Sequence, residues 1–439
     1  VKREKDGSYS VVNKGSKGAI AHPVYAVFEP NQIKSAIGNR GTFDLLSPNI
    51  DEANAIGSLR GATPTETARA VKRAEAISTI PLLEGTGQIP IKGTGPYGRV
   101  VGGDVGRAMN AWVRKNSTPI KKGDYRPATI EAVAQSLYLE IGYQLERDDS
   151  AIGWYESTLE RAMDALAQIH PELKTSADAA TVFNLALAVT SNGTRVVKNF
   201  ELAEQAYRGW KDSGRLPEDI GIGDRTHAIN AHLKAINELI EANGIGGVRE
   251  FMNDVHTVRE LEAKGFKRSD ELKSTSIYGS NVFGPKLGNF YQNLNGNYNP
   301  VTMDRWFTRS INRIMGTMVD PKSKTGLVDA PRNGSEREWM RAIMERTQEM
   351  LSSDGVEVTT ADMQALLWYH EKALFNTLRG RKGTTDEQTQ EDYASAAERL
   401  YALQRQPAGS DNLPGGGPVT QGTNNLEQIN VAEQAPPLT

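Results

Sequence analysis

Two side chains of opposite charge, Lys286 and Asp304, stand 18 positions apart in the run GPKLGNFYQNLNGNYNPVTMDRWFTRSINR. A lysine amine becomes a nucleophile only when it sheds its proton, and removal from water favours that neutral form. A carboxylate beside such an amine can move protons and support positive charge developing on a reacting carbon. The two residue types therefore suit amine-based covalent chemistry. Each also has an ordinary reading. A lysine can sit in solvent or against a phosphate. An aspartate at a helix start can simply cap the backbone, held anionic by the helix dipole.

Lys286 opens a short helical segment. A loop rich in Gly, Asn and Pro follows (Asn295, Gly296, Asn297, Asn299, Pro300), and Asp304 then opens a helix carrying Arg309, Asn312 and Arg313. The whole pattern resembles the helix-hairpin-helix/Gly-Pro/Asp superfamily of DNA glycosylases, in particular lysine-bearing glycosylase/lyases such as endonuclease III. The matching residues are Gly284-Pro285-Lys286, Gly296 to Pro300, Val301-Thr302-Met303-Asp304, Arg309 and Asn312-Arg313.

The resemblance implies double-stranded DNA as partner and a base flipped out of the stack. It casts Lys286 as the amine that attacks the sugar C1′ to form a Schiff base, with Asp304 as its electrostatic and proton-transfer partner. Gly284 becomes a DNA contact, and Arg309 and Arg313 are candidates for phosphate contacts, with bracing of their own helix as the alternative. Two departures stand out. The family's hairpin reads Leu-Pro-Gly-Val-Gly, whereas this chain has Ser280-Asn281-Val282-Phe283-Gly284, with Val282 in place of the first glycine. That glycine lets backbone amides approach a DNA phosphate. The iron–sulfur cluster of several members needs four cysteines, and this chain has none. No cofactor and no metal site is expected. His227 and His232 are five apart and do not share a helix face.

The elements around this run read as helices. Ile130, Val133, Leu137 and Ile141 recur at helical spacing, as do Leu159, Met163, Leu166 and Ile169 before Pro171. In TVFNLALAVTSNGTRVVKNFELAEQAYRGWKDSGRLP an apolar helix ends in a polar turn, and an amphipathic helix follows. In the glycosylase superfamily such a turn carries a Gln or Asn that fills the gap left by the flipped base, which makes Asn192 the wedge candidate. The plain alternative is a helix C-cap at Asn192-Gly193. Further helices are expected at 226–243, 247–254, 258–264, 335–352 and 360–378.

The expected fold is mainly α. A helical glycosylase-like domain spans 113–404, preceded by a small helical module at 62–112 and a short β-containing remnant with its linker at 1–61. Residues 405–439, rich in Gly, Pro, Gln and Asn, read as a disordered tail. In the module, Ala62-Thr63-Pro64, Gly93-Thr94-Gly95, Gly98-Arg99-Val100 and Asp104-Val105 resemble the peripheral subunit-binding domain of 2-oxoacid dehydrogenase acyltransferases, whose family role is partner docking. The same loop spells Gly93-x-Gly95-x-x-Gly98, but no buried strand leads into it and Pro96 sits inside it, so a dinucleotide fingerprint is rejected. The stretch HPVYAVFEPNQIKSAIGNRGTFDLLSPNI resembles the closing strand and linker of toxin-like domains in phage and mobile-element polyproteins. With Val1 in place of an initiator Met, it suggests a processed or excised piece of a phage protein. The expected location is the phage virion or the bacterial host cytoplasm.

Charge is near balance, with 51 basic and 54 acidic residues, which argues against a uniformly DNA-coating protein while allowing a local basic patch. No apolar run of membrane-spanning length occurs. Two functions fit. One is a DNA glycosylase/AP lyase. The other is a non-enzymatic virion protein, internal or capsid-associated, that keeps the fold for DNA binding or scaffolding and docks virion partners through 62–112 and the tail.

Overall fold

The computed structural model describes residues 2–3, 9–10, 27–28, 61–147, 152–266, 271–380 and 393–405. The chain divides into two compact units, Val1–Gly61 and Ala62–Thr439. In the first, β1 (Lys2–Arg3), β2 (Tyr9–Ser10) and β3 (Val27–Phe28) form an antiparallel sheet in that order, with Tyr9 opposite both Arg3 and Phe28. The rest of the expected strand around Val24 and Ala26 lies outside the described residues. So does the expected tail past Arg405.

The second unit is helical, as its apolar periodicity requires. Its first helix, α1 (Pro64–Ile77), starts on a capping box in which Thr63 and Glu66 satisfy each other's backbone, with Pro64 at the first turn. Next come α2 (Gly102–Asn116), α3 (Pro127–Arg147), α4 (Leu159–Ala167), α5 (Ala177–Thr190), α6 (Val196–Ser213) and α7 (Thr226–Asn253). A small hairpin-like insert follows: β4 (Val255–Thr257), α8 (Val258–Ala263) and β5 (Ser276–Tyr278), with Val255 paired to Tyr278. The unit is completed by α9 (Pro285–Leu294), α10 (Arg305–Met315), α11 (Gly334–Ser353), α12 (Thr360–Leu378) and α13 (Tyr393–Arg405). No described helix is long and apolar enough to cross a membrane.

Two large apolar clusters fill this unit. One gathers α4 to α7, α9 and α13, around Phe183, Phe200, Tyr207, Leu233 and Tyr291. The other gathers α3, α10, α11 and α12, around Val133, Leu137, Ile141, Phe307, Ile311, Met340 and Leu366. The loop from Asn295 to Asp304 carries the chain from the first cluster to the second.

The separate module expected at 62–112 is corrected by the packing. Ala70 and Ile77 of α1 bury in the same cluster as Val133 and Leu137 of α3. Val105 and Met109 of α2 pack with Met318, Leu327 and Phe375. A Cβ on Gly106 would come within 2.4 Å of the Leu327 side chain, so α2 lies hard against the 318–327 segment. The glycine loop does use Asp104 as a brace: its carboxylate accepts from Thr94 N at 2.9 Å, Thr94 Oγ1 at 2.8 Å and Val101 N at 3.0 Å.

Candidate active site

Lys286 is placed by a tight entry into α9. A 3₁₀ turn, Gly279–Phe283, leads to Gly284, whose φ of +104° suits glycine and few other residues. Pro285 then occupies the first helical position, where its missing N–H costs nothing. The 3₁₀ turn folds back onto α9. Ser280 Oγ donates to Gly288 O at 2.9 Å, and a Cβ on Gly288 would meet Asn281 Cα at 2.5 Å. β5 and a single 3₁₀ turn, with no α-helix, lead into Gly284, a further departure from the helix-hairpin-helix pattern. Leu287, Phe290, Tyr291 and Leu294 anchor α9 in the first cluster. Lys286 is left half-buried, and its Nζ donates to Ser191 O at 2.9 Å.

Asp304 is placed by the crossing loop, which is pinned by buried amides of α9. Asn293 Nδ2 donates to Asn297 O at 2.9 Å and Pro300 O at 3.2 Å, while its Oδ1 accepts from Thr302 Oγ1 at 2.7 Å. Asn289 Nδ2 donates to Val301 O at 2.7 Å. Gly296 turns the chain with a φ of +82°. The loop thus hands Asp304 to the start of α10 from the helix that carries Lys286. Asp304 Oδ1 accepts from Phe307 N at 2.8 Å, a regular N-cap.

The two groups sense each other without sharing an ion pair. Removal from water pulls the Lys286 amine from its usual 10.5 down to about 8; Asp304 opposes that shift, while Arg305 and Arg225 reinforce it. The Asp304 carboxyl is raised above its ordinary value, again chiefly by burial, against the opposing pull of the Phe307 amide and Lys286. Each charge is thus weakened by its surroundings, and a fraction of the amine is neutral at near-neutral pH. Tyr155, on a π-helical turn at Trp154–Thr158, lies close enough for the Asp304 charge to help raise its phenol, after the larger effect of burial.

Asn192 lies in the turn after α5, directly after the Ser191 carbonyl that accepts the hydrogen bond from Lys286 Nζ. It is half-buried, and the left-handed residue of that turn is Gly193, at φ +76°. Lys286, Asp304 and the Asn192 turn therefore come together, and Gly284 sits two residues before the lysine at its helix N-cap.

Arg309 and Arg313 do not belong to this group, and their expected role as DNA contacts is corrected. Arg309 is 0% exposed, with Nε donating to Asp329 Oδ1 at 2.7 Å and its guanidinium over Trp306 and Phe375. Arg313 is 1% exposed, donating to both Glu140 oxygens at 2.8 and 2.7 Å and to Glu371 Oε2 at 2.8 Å. Both guanidiniums are buried against carboxylates, as burying such a charge demands, so neither presents a donor at the surface to a phosphate.

Sequence reading passed over several residues that shape the site: Asn289 and Asn293, which fix the loop; Ser191, through its carbonyl; Arg225; and Tyr155. The density of Asn in NFYQNLNGNYN was the available signal for the first two. Among the described residues no cluster of His, Asp and Glu is disposed to hold a metal ion. No protein-family model, curated protein or solved structure matches this chain.

Proposed function

We propose that the Lys286–Asp304 site makes this protein a DNA glycosylase with AP-lyase activity. The observation that carries the reading is a half-buried lysine amine, pulled down to about 8, within electrostatic reach of an N-capping aspartate where two helical clusters meet. Sites between packed helices are common places for small-molecule chemistry.

In the proposed reaction a nucleotide is flipped to the site. The neutral Lys286 nitrogen forms a bond to C1′ as the C1′–base bond breaks. The base leaves with that electron pair and takes up a proton. The attacking nitrogen then gives up a proton, its lone pair forms the C1′=N bond as C1′–O4′ breaks, O4′ takes that electron pair and a proton as the ring opens, and a Schiff base remains on C1′. Asp304 supports the positive charge that grows on the sugar and exchanges protons with these groups. A preformed abasic site enters the same path by condensing its aldehyde with the amine and losing water. Borohydride adds hydride to the Schiff base and fixes it as a stable amine link between protein and DNA. Trapping on abasic duplex by the intact chain, abolished in Lys286→Gln, is the test. The resemblance of residues 22–50 to phage and mobile-element polyproteins supports a setting for this activity in the virion or the host cytoplasm.

One observation favours the alternative of a non-enzymatic virion scaffold: the two arginines expected to meet DNA are consumed inside the fold. Under that reading DNA or virion partners bind, but no adduct forms.

A further inference from the structure

The turn that faces Lys286 carries a second basic side chain that the sequence pattern did not single out. Arg225 closes the 3₁₀ turn Gly223–Arg225 and leads into α7. Its stem lies across the Asn192–Gly193 turn: a Cβ on Gly193 would fall 2.9 Å from Arg225 Cγ and 3.7 Å from its Nε. Glycine at 193 therefore does two things. It supplies the left-handed φ of +76°, and it leaves space for the arginine to lie flat over the turn. Two residues earlier, Ser191 O accepts a hydrogen bond from Lys286 Nζ at 2.9 Å. One short turn thus holds the lysine on one carbonyl and the arginine on one glycine. Arg225 is half-buried.

We propose that Arg225 is the phosphate contact of this site, seating the nucleic-acid backbone beside the nucleotide offered to Lys286. The proposal rests on the lysine-site reading for the identity of the nucleotide, but not for the phosphate itself. A guanidinium presents a planar fork of donors that matches phosphate oxygens, and its charge is insensitive to pH. Its position next to the Asn192 turn places the phosphate where the strand must bend if a base leaves the stack. A bound phosphate would also change the field at Lys286. Arg225 alone disfavours the protonated amine, whereas phosphate on Arg225 screens that repulsion. Backbone binding and nucleophile protonation are thereby linked through one residue.

The experiment uses the full chain in a Lys286→Gln background, so that binding is read without chemistry. A duplex carrying a tetrahydrofuran abasic analogue is titrated at several salt concentrations. Arg225→Gln should weaken binding and reduce the slope of log K against log salt by about 1, as loss of one phosphate contact does. Arg225→Lys should keep the slope. If the arginine only braces the turn, Lys and Gln should lose affinity alike at unchanged slope, and that result overturns the proposal. In the Lys286-containing protein, Arg225→Gln should move the midpoint of borohydride trapping to higher pH, because removing a like charge lets the amine keep its proton. An unchanged slope with wild-type trapping intact overturns the phosphate contact alone. A lost slope unit in a protein that traps nothing keeps the phosphate contact and removes only the nucleophile reading. Matching melting temperatures of the Gln and Lys variants separate either outcome from misfolding.

Discussion

Replacing Lys286 by Met should make the protein more stable at neutral pH, although the substitution removes a hydrogen bond. A folded-state value of about 8 against 10.5 for a free lysine corresponds to about 3 kcal/mol of differential interaction between the protonation states. Solvent reaches the half-buried side chain, so roughly half of this survives screening. The lost bond to Ser191 O takes away about 1 kcal/mol more at most. The net gain is on the order of 1 kcal/mol near pH 7. Its sign with pH is fixed. The folded value lies below the unfolded one, so between about 8 and 10.5 the unfolded chain binds more protons and wild-type stability rises with pH. The Met variant lacks that rise. Its advantage should be full below pH 8, shrink through the window and vanish or reverse by pH 10.5. Urea unfolding of both proteins at pH 7, 9 and 10.5 reads this directly from the midpoints. A variant less stable than wild type at pH 7, or a difference flat across the three pH values, would refute the desolvated-lysine account.

Asp304→Asn should leave stability nearly unchanged, because Asn caps as well as Asp, while Asp304→Ala should cost about 1 kcal/mol. Both should slow base excision by orders of magnitude and shift the trapping midpoint to lower pH, since the carboxylate favours the protonated amine. Arg313→Met should destabilise by about 3–5 kcal/mol, measured by chemical unfolding, because Glu140 and Glu371 are left buried without their cation. In limited proteolysis the segment 113–124 should resist cleavage, because Ile120 is buried and its N–H donates to Met315 O at 2.9 Å; early cuts there would contradict the packing of residues 62–116 described above.

What could be read from the sequence was local, and what could not was long-range. The cap at Asp304 was legible because a cap is chosen by residues close in sequence, here Asp304 and the Phe307 amide three positions on. The helix expected at 360–378 spans those residues as α12, and α3 buries Val133, Leu137 and Ile141 as their spacing demands. Two helices expected at 226–243 and 247–254 join as α7, broken only at Gly244, whose φ of +69° marks the interruption that the sequence pattern registered as a gap. The three-residue strands β4 and β5 are too short to carry a period. The roles of Arg309 and Arg313 were illegible for a different reason. An arginine on a helix reads as a surface charge until its acids are located. Glu140 is 173 positions away, Glu371 is 58 and Asp329 is 20. The approach of Lys286 to the Asn192 turn spans 95 positions and likewise exists only in the fold.

Covalent trapping with borohydride on a uracil- or abasic-site-containing duplex, scored by a shifted protein–DNA band, tests Lys286 as the nucleophile. The wild-type chain should give an adduct, Lys286→Gln should lose it while still binding DNA, and the trapping yield should rise as pH climbs through about 8. Binding without any adduct across a panel of damaged duplexes would contradict that role, and so would an adduct that survives Lys286→Gln.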